Sequence, residues 1–363
     1  MAEILGLGLS HFGGFMFPDE DMASRTRKRL EDGSLPPHLD HPSKWPAPMR
    51  AEWGNDEGRG FAARHKQAYF AGLDRIRTAL DAFRPDAVII FGDDQYECFR
   101  EDLVPPYCVF VAGELRSKPY LRARLFGADR MNIWNDPFDA VFTYRGAPEV
   151  AGDLLPALFE AGFDPACSYT LPHQEFLGHA FANTLVYLDH RRTGFPYPVI
   201  PFAINAYGPE LLRSRGGYIP EESRPGTPGW LPDPPMPSPA RCFDLGAAIA
   251  RALAPTRWRV ALVGSSSFSH GFLTAKHDFL YPDIAADRAR YAELAAGDYA
   301  AWRGLTIDAL REAGQHELLN WCPMVGAMHA LGQKPAWCEL LESWLMNSSK
   351  CVAVIPPGGA TFD

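Results

Sequence analysis

The stretch that most constrains this chain runs from Asp86 to Phe99, Asp-Ala-Val-Ile-Ile-Phe-Gly-Asp-Asp-Gln-Tyr-Glu-Cys-Phe. Its apolar run, Ala87 to Phe91, has the pattern of a strand buried on both faces, as in a parallel sheet covered by helices. The run stops at Gly92, and Asp93, Asp94 and Gln95 follow at once. In an open α/β sheet the carboxyl ends of the strands face the ligand crevice. Three polar groups at that rim point to chemistry, although Gly-Asp-Asp is also ordinary turn composition.

Other segments repeat the theme of a strand followed by chemistry. Ile4 to Leu9 alternates aliphatic residues with glycine and ends at Ser10-His11-Phe12-Gly13-Gly14. The strand expected over 258–263 ends in Gly264-Ser265-Ser266-Ser267-Phe268-Ser269-His270. Further strands are expected at Tyr107–Ala112, Cys167–Leu171, 198–205 and Lys350–Ile355. Tyr69, Leu73, Ile76, Leu80 and Phe83 recur at helical spacing up to Pro85, so a long helix precedes the central strand. Helices are also expected over 149–163, 176–188, 243–253 and most of 284–332. The alternation of helix and strand predicts one α/β domain over residues 1–363, with a mostly parallel central sheet flanked by helices. Two proline-rich stretches, about 17–57 and 207–240, interrupt it and are expected as loop insertions, of which the first is a candidate lid or partner contact.

With 363 residues, 47% hydrophobic and 22% charged, the chain has ordinary globular composition. A net charge of −9 argues against nucleic acid or an anionic membrane as the main partner. No apolar run has the length of a bilayer span, about 18 residues, and the first residues lack the pattern of a signal peptide. The seven cysteines are scattered without a C-x-x-C pair, which predicts reduced, mostly buried thiols in the cytoplasm.

The polar candidates at strand ends are His11, Asp94 with Gln95, and His270, joined by His173 in Leu-Pro-His-Gln-Glu and by Glu317 at a helix start. Imidazole, one further donor and a carboxylate, with positions left open, make up a non-haem Fe(II) site. A histidine outside the ligand set is suited to proton transfer near neutral pH. A serine hydrolase using Ser267 or Ser269 is the weaker reading, because no G-x-S-x-G elbow surrounds them. A phosphate loop is weaker still, as Gly-Ser-Ser-Ser has no lysine after it. The basic residues Arg116, Lys118, Arg122, Arg124 and Arg130 form either a solvated face or a clamp for a substrate carboxylate. His179, His316 and His329 are read as structural.

These motifs, in this order, resemble the class III extradiol ring-cleaving dioxygenases, in particular the protocatechuate 4,5-dioxygenase β-subunit type. The resemblance rests on Ser10-His11, Asp86 to Phe99, Ile200-Pro201-Phe202 with Asn205, Pro237-Ser238 with Arg241-Cys242-Phe243, Gly264 to His270, and Glu317 with Trp321. It covers most of the chain outside the two proline-rich stretches. It implies an Fe(II) enzyme that opens the ring of a catechol-like hydroxylated aromatic, an aromatic acid, with O2. His11 and Glu317 match metal ligands, His270 matches the acid/base histidine, and His173 matches a second histidine near the substrate. The family's Asn-Asp-His is here Asp93-Asp94-Gln95, so Gln95 stands where the second imidazole ligand is expected. An amide oxygen is a harder, weaker donor than imidazole. The alternatives are that Asp94 ligates instead, that the chain is a silent partner of an active paralogue, or that it is a metal-dependent enzyme of this fold that does not use O2. A homodimer, or a hetero-oligomer with a paralogous subunit, is the expected assembly.

Overall fold

The computed structural model describes residues 2–100, 102–121, 131–207 and 235–359. At its centre is an eight-stranded sheet in the order β6-β3-β7-β2-β8-β1-β10-β9. Its strands are β1 (Glu3–Leu9), β2 (Ala87–Asp93), β3 (Tyr107–Phe110), β6 (Ala166–Ser168), β7 (Val199–Ile204), β8 (Arg259–Ser265), β9 (Trp337–Leu341) and β10 (Lys350–Ile355). The four central strands β7, β2, β8 and β1 run parallel, so their carboxyl ends lie on one edge. Antiparallel neighbours, β3 on one side and β10 with β9 on the other, flank this group. A separate two-stranded ribbon pairs β4 (Glu114–Ser117) with β5 (Phe142–Arg145).

The continuous apolar runs of the central strands follow from helices covering both faces. Alternate residues divide between two cores. Leu5, Leu7, Leu9, Val88 and Ile90 belong to one core, with Tyr69, Leu73, Ile76 and Leu80 of helix Arg59–Phe83 and Phe181 and Leu185 of helix His179–Leu188. Ile4, Ile89, Phe91, Val260 and Leu262 belong to the other, with Leu154 and Leu158 of helix Pro148–Glu160, Leu245 and Ile249 of helix Pro239–Leu253, and Val325 and Met328 of helix Cys322–Leu331. Helix Arg59–Phe83 stops at Arg84, in the left-handed region ahead of Pro85. Ser238 caps helix Pro239–Leu253 by accepting from the Arg241 amide.

Segment 17–57 contains more than loop. It forms helices Ser24–Glu31 and Ala47–Trp53 and sends Trp45 and Met49 into the first core. The Glu52 carboxylate ties it down by accepting from the Trp344 and Leu345 amides at 2.9 and 2.8 Å. Most of the second proline-rich stretch, residues 208–234, lies outside the described residues, as do Arg122, Arg124 and Arg130. All seven cysteines are unpaired, and five of them are buried. Among the described residues, no helix is long and apolar enough to cross a membrane.

The placement of the edge residues depends on one close contact. Gly8 of β1 sits opposite Gly264 of β8, and together they leave a groove for the Trp321 ring. A Cβ on Gly8 would lie 2.1 Å from that ring, and one on Gly264 would lie 3.0 Å from Trp321 Cα. Trp321 Nε1 donates to the Ser266 carbonyl at 3.1 Å. The 3-10 turn His316–Asn320, which carries Glu317, is thereby seated against the ends of β8 and β2.

Candidate metal centre

Three adjacent strands bring the candidates together at the sheet edge. His11 follows β1, Asp93 ends β2, Gln95 lies two residues beyond it, and the segment carrying His270 follows β8. His11 Nδ1 lies 2.9 Å from the Ser265 carbonyl oxygen. A carbonyl can only accept, so the ring proton is on Nδ1 and the Nε2 lone pair is directed into the site. Such an outer contact to a carbonyl is what fixes a metal-binding imidazole in its tautomer. The backbone around His11 is held equally firmly. Asn183 Nδ2 donates to the His11 carbonyl at 2.9 Å, and the Tyr69 and Tyr187 hydroxyls donate to the Ser10 and Phe12 carbonyls. Burial lowers the His11 pKa to about 4, against the opposing pull of Asp93.

From Nε2 of His11, Glu317 Oε2 lies 3.5 Å away and Asp93 Oδ1 lies 3.6 Å away. His270 Nε2 is 3.4 Å from the same Glu317 oxygen. Two donors each about 2.1 Å from one ion lie at most ~4.2 Å apart, so each of these separations allows a shared cation. All four side chains are nearly excluded from solvent, with relative exposures of 0 to 6%. His11, Asp93 and His179 also form a group whose ligand atoms lie within 4.8 Å of one another. The residues present therefore fit a divalent metal ion.

The surrounding hydrogen bonds set the orientation of the carboxylates. Glu317 Oε1 accepts from the Tyr207 hydroxyl. Asp93 Oδ1 accepts from Asn320 Nδ2 at 2.9 Å. Gln95 joins the cluster through its nitrogen, with Nε2 at 3.0 Å from Asp93 Oδ2, 3.1 Å from the Tyr207 hydroxyl and 3.4 Å from Glu317 Oε1. Asp94 points away into its own turn, accepting from the amides of Glu97, Cys98 and Phe99 at 2.8–3.1 Å. There it shapes the loop after β2 and leaves the cluster to Asp93. Burial, aided by the Glu97 charge, raises its pKa to about 7.

His270 is buried, and its pKa is pushed well below the usual histidine value, first by burial and then by the His11, Lys350 and His316 charges. It is therefore neutral at physiological pH. Asp287 anchors its loop, accepting from the Ser269 amide at 2.9 Å, the Ser269 hydroxyl at 2.7 Å and Gln315 Nε2 at 2.9 Å. The same loop meets the Glu317 segment through Ser266 Oγ, which donates to the Glu317 carbonyl at 2.8 Å.

The structure thus assembles His11, Gln95, His270 and Glu317 in one cluster. His173 makes its contact elsewhere. It sits on an exposed loop at φ 59° and pairs with Asp102 at 2.8 Å. The histidine beside His11 is instead His179, six residues further on, whose ring meets His11 edge to face at 5.1 Å. Its Nδ1 is bonded to Glu97 at 2.7 Å. Sequence reasoning read His179 as structural and named Asp93 only among the three polar groups at the crevice rim, although Asp93 shares a strand-face parity with Gln95 and His179 follows Gly178 at a helix start. Arg116 is tied to Glu175 and, with Lys118, packs over the Phe176 ring, the lysine at 4.4 Å.

Two histidines and two carboxylates are thus buried together at the open edge of the α/β sheet, and the chain as a whole is similar in sequence to known proteins. The chain is 30% identical over 292 residues to the 2,3-dihydroxyphenylpropionate/2,3-dihydroxicinnamic acid 1,2-dioxygenase of Paraburkholderia phymatum, covering 74% of this chain and 84% of that protein. It is 28% identical over 304 residues to the protein of the same name from Burkholderia vietnamiensis, covering 77% and 88%. A Cupriavidus necator protein of that name is 25% identical over 287 residues, covering 72% and 80%. No family model matches. A solved structure of an uncharacterized Escherichia coli K12 protein aligns with a TM-score of 0.40 at 13% identity, covering 79% of this chain and 92% of that one. The chain belongs to the extradiol ring-cleaving dioxygenase family, and its activity is that of an oxidoreductase that opens aromatic rings.

Proposed function

We propose that this enzyme uses O2 to open the ring of a catechol-like aromatic acid, at an Fe(II) ion held by His11 and Glu317. The observation that carries this reading is the meeting of His11 Nε2, Glu317 Oε2 and His270 Nε2 within 3.4–3.5 Å contacts. Motif likeness to the protocatechuate 4,5-dioxygenase β-subunit type, and the 2,3-dihydroxyphenylpropionate in its relatives' names, support a diol that carries a carboxylate. Unpaired cysteines support a reducing, cytoplasmic setting, and a dimer of this chain is the assembly we favour.

Bound Fe(II) would supply adjacent positions for the diol and for O2 and a route for electrons between them. The protein residues do the rest. Neutral His270 accepts a proton from a substrate hydroxyl and returns it as the ring opens. His179, oriented by Glu97, takes the role of second histidine near the substrate, which the sequence pattern had suggested for His173. Tyr207 and Gln95 hold Glu317 by donating to Oε1, and burial of the cluster excludes bulk water from the reacting groups.

Oxygen consumption by the Fe(II)-loaded full chain, measured over a panel of catechols with and without carboxylate side chains, tests this reading. Uptake with acid-bearing catechols, accompanied by the absorbance of a ring-opened product, is the expected result. No uptake with any diol by metal-loaded protein would refute it. The exchange of imidazole for amide at Gln95 gives a second reading its footing: a silent subunit paired with an active paralogue, or a metal enzyme of this fold that does not use O2.

A further inference from the structure

We propose that Asp93 is the third protein ligand of the metal, and that Gln95 is a positioning residue that aims both carboxylates at the ion. The inference rests on the reading above that the site holds a divalent metal.

The cluster is a convergence of acceptors. His11 Nε2 carries a lone pair, because its Nδ1 proton goes to the Ser265 carbonyl. Facing it at 3.6 and 3.5 Å are Asp93 Oδ1 and Glu317 Oε2, too far for hydrogen bonds and both acceptors when ionised. Asp93 is 0% exposed, and no lysine or arginine among the described residues pairs with it. A buried carboxylate is tolerated when it is paired or binds a metal. A cation between the three lone-pair atoms resolves the conflict.

Gln95 divides the carboxylate oxygens into two sets. Its Nε2 serves Asp93 Oδ2 and Glu317 Oε1, while Oε2 and Oδ1, which also accepts from Asn320 Nδ2 at 2.9 Å and keeps further lone pairs, face His11. For Gln95 to ligate through its own oxygen, the amide must turn over, placing that oxygen against two carboxylates and the Tyr207 hydroxyl. In the observed orientation its two N–H groups face these acceptors, closest to Asp93 Oδ2 at 3.0 Å and the Tyr207 hydroxyl at 3.1 Å. In Asp93-Asp94-Gln95 the carboxylate donor then ends β2, and the amide that orients it lies two residues further on. One imidazole with two carboxylates is a harder set than two imidazoles with one, so the site shifts toward oxygen-loving ions such as Mn(II).

Titration of the chelator-stripped full chain with Mn(II), with the free ion read by electron paramagnetic resonance, tests the assignment without turnover. The native chain is expected to bind one Mn(II). Asp93→Asn should weaken binding 100-fold or more, whereas Gln95→Ala should stay within about tenfold. Asp93→Asn binding like the native chain, or Gln95→Ala losing 100-fold, would overturn the assignment while leaving the metal reading intact. If Asp93→Asn does not fold, Gln95→Ala decides alone. If the native chain binds neither Mn(II) nor Fe(II), the reading of a metal enzyme falls first and this inference with it.

Discussion

Asp287 lies outside the His11–Glu317 cluster yet ties together the two segments that deliver His270 and Glu317. Its carboxyl is 0% exposed, and burial raises its pKa from 3.8 to about 6, net of the hydrogen bonds from Gln315 and Ser269 that pull it down. Between those two values the folded state binds more protons than the unfolded chain, so stability falls as pH rises through the window. The loss is complete above about pH 6. A difference of about 2.2 pKa units corresponds to ~3 kcal/mol at about 1.36 kcal/mol per unit. Asp287→Asn keeps the shape and an acceptor for the Ser269 amide and Gln315, and the Ser269 hydroxyl can reverse its role. The variant is expected to match the native chain near pH 4 and to exceed its stability by up to ~3 kcal/mol at pH 7. Urea denaturation of both proteins from pH 4 to 8 measures this, because titrating groups that do not interact with Asp287 cancel in the difference; Lys350, whose charged form Asp287 favours, does not. A difference that does not change with pH would refute the reasoning.

Three further outcomes follow from the site and its support. His270→Gln should lower kcat by about 10²- to 10⁴-fold, the usual worth of a positioned acid/base, while metal content by elemental analysis stays unchanged; loss of metal would make His270 a ligand. Gly8→Ala should cost ~1–3 kcal/mol or more, because its Cβ would come within 2.1 Å of Trp321, and the displaced Trp321 should weaken metal binding through Glu317; a native melting temperature would contradict this. Saturating Mn(II) at about 100 times its Kd should stabilise the fold by ~2.7 kcal/mol. At about 2.1 cal/mol/K for each of 363 residues, that is a rise of ~3–4 °C in calorimetry, absent in His11→Ala.

Much of the fold could be read from the chain because its central strands are covered on both sides. Ala87–Asp93 and Val199–Ile204 show as apolar runs, and the stripe of Tyr69, Leu73, Ile76 and Leu80 marks the helix between β1 and β2. The ribbon β4–β5 was not legible, since Glu114–Ser117 and Phe142–Arg145 are short and polar on one face. Nor was β9, whose residues are mostly half-exposed at the sheet edge. The helices of 17–57 were hidden by prolines that here start helix Ala47–Trp53 and a 3-10 turn. At the site, His11, Glu317 and His270 stood out because each follows glycine-rich or small-residue sequence at a strand end or opens a turn. Asp93 was visible as one of three polar residues after Gly92, but choosing it over Asp94, and His179 over His173, depends on three-dimensional facts. Asp94 is withdrawn by three backbone amides, and the turn after Leu171 sends the first histidine outward and the second inward.

On the function proposed above, this cluster directs both atoms of O2 into an opened aromatic ring. Mass spectrometry of the product formed from a catechol acid under ¹⁸O₂ tests it most directly. Two labelled atoms in one ring-opened product are expected. A metal-loaded enzyme whose product carries one labelled atom or none would contradict it.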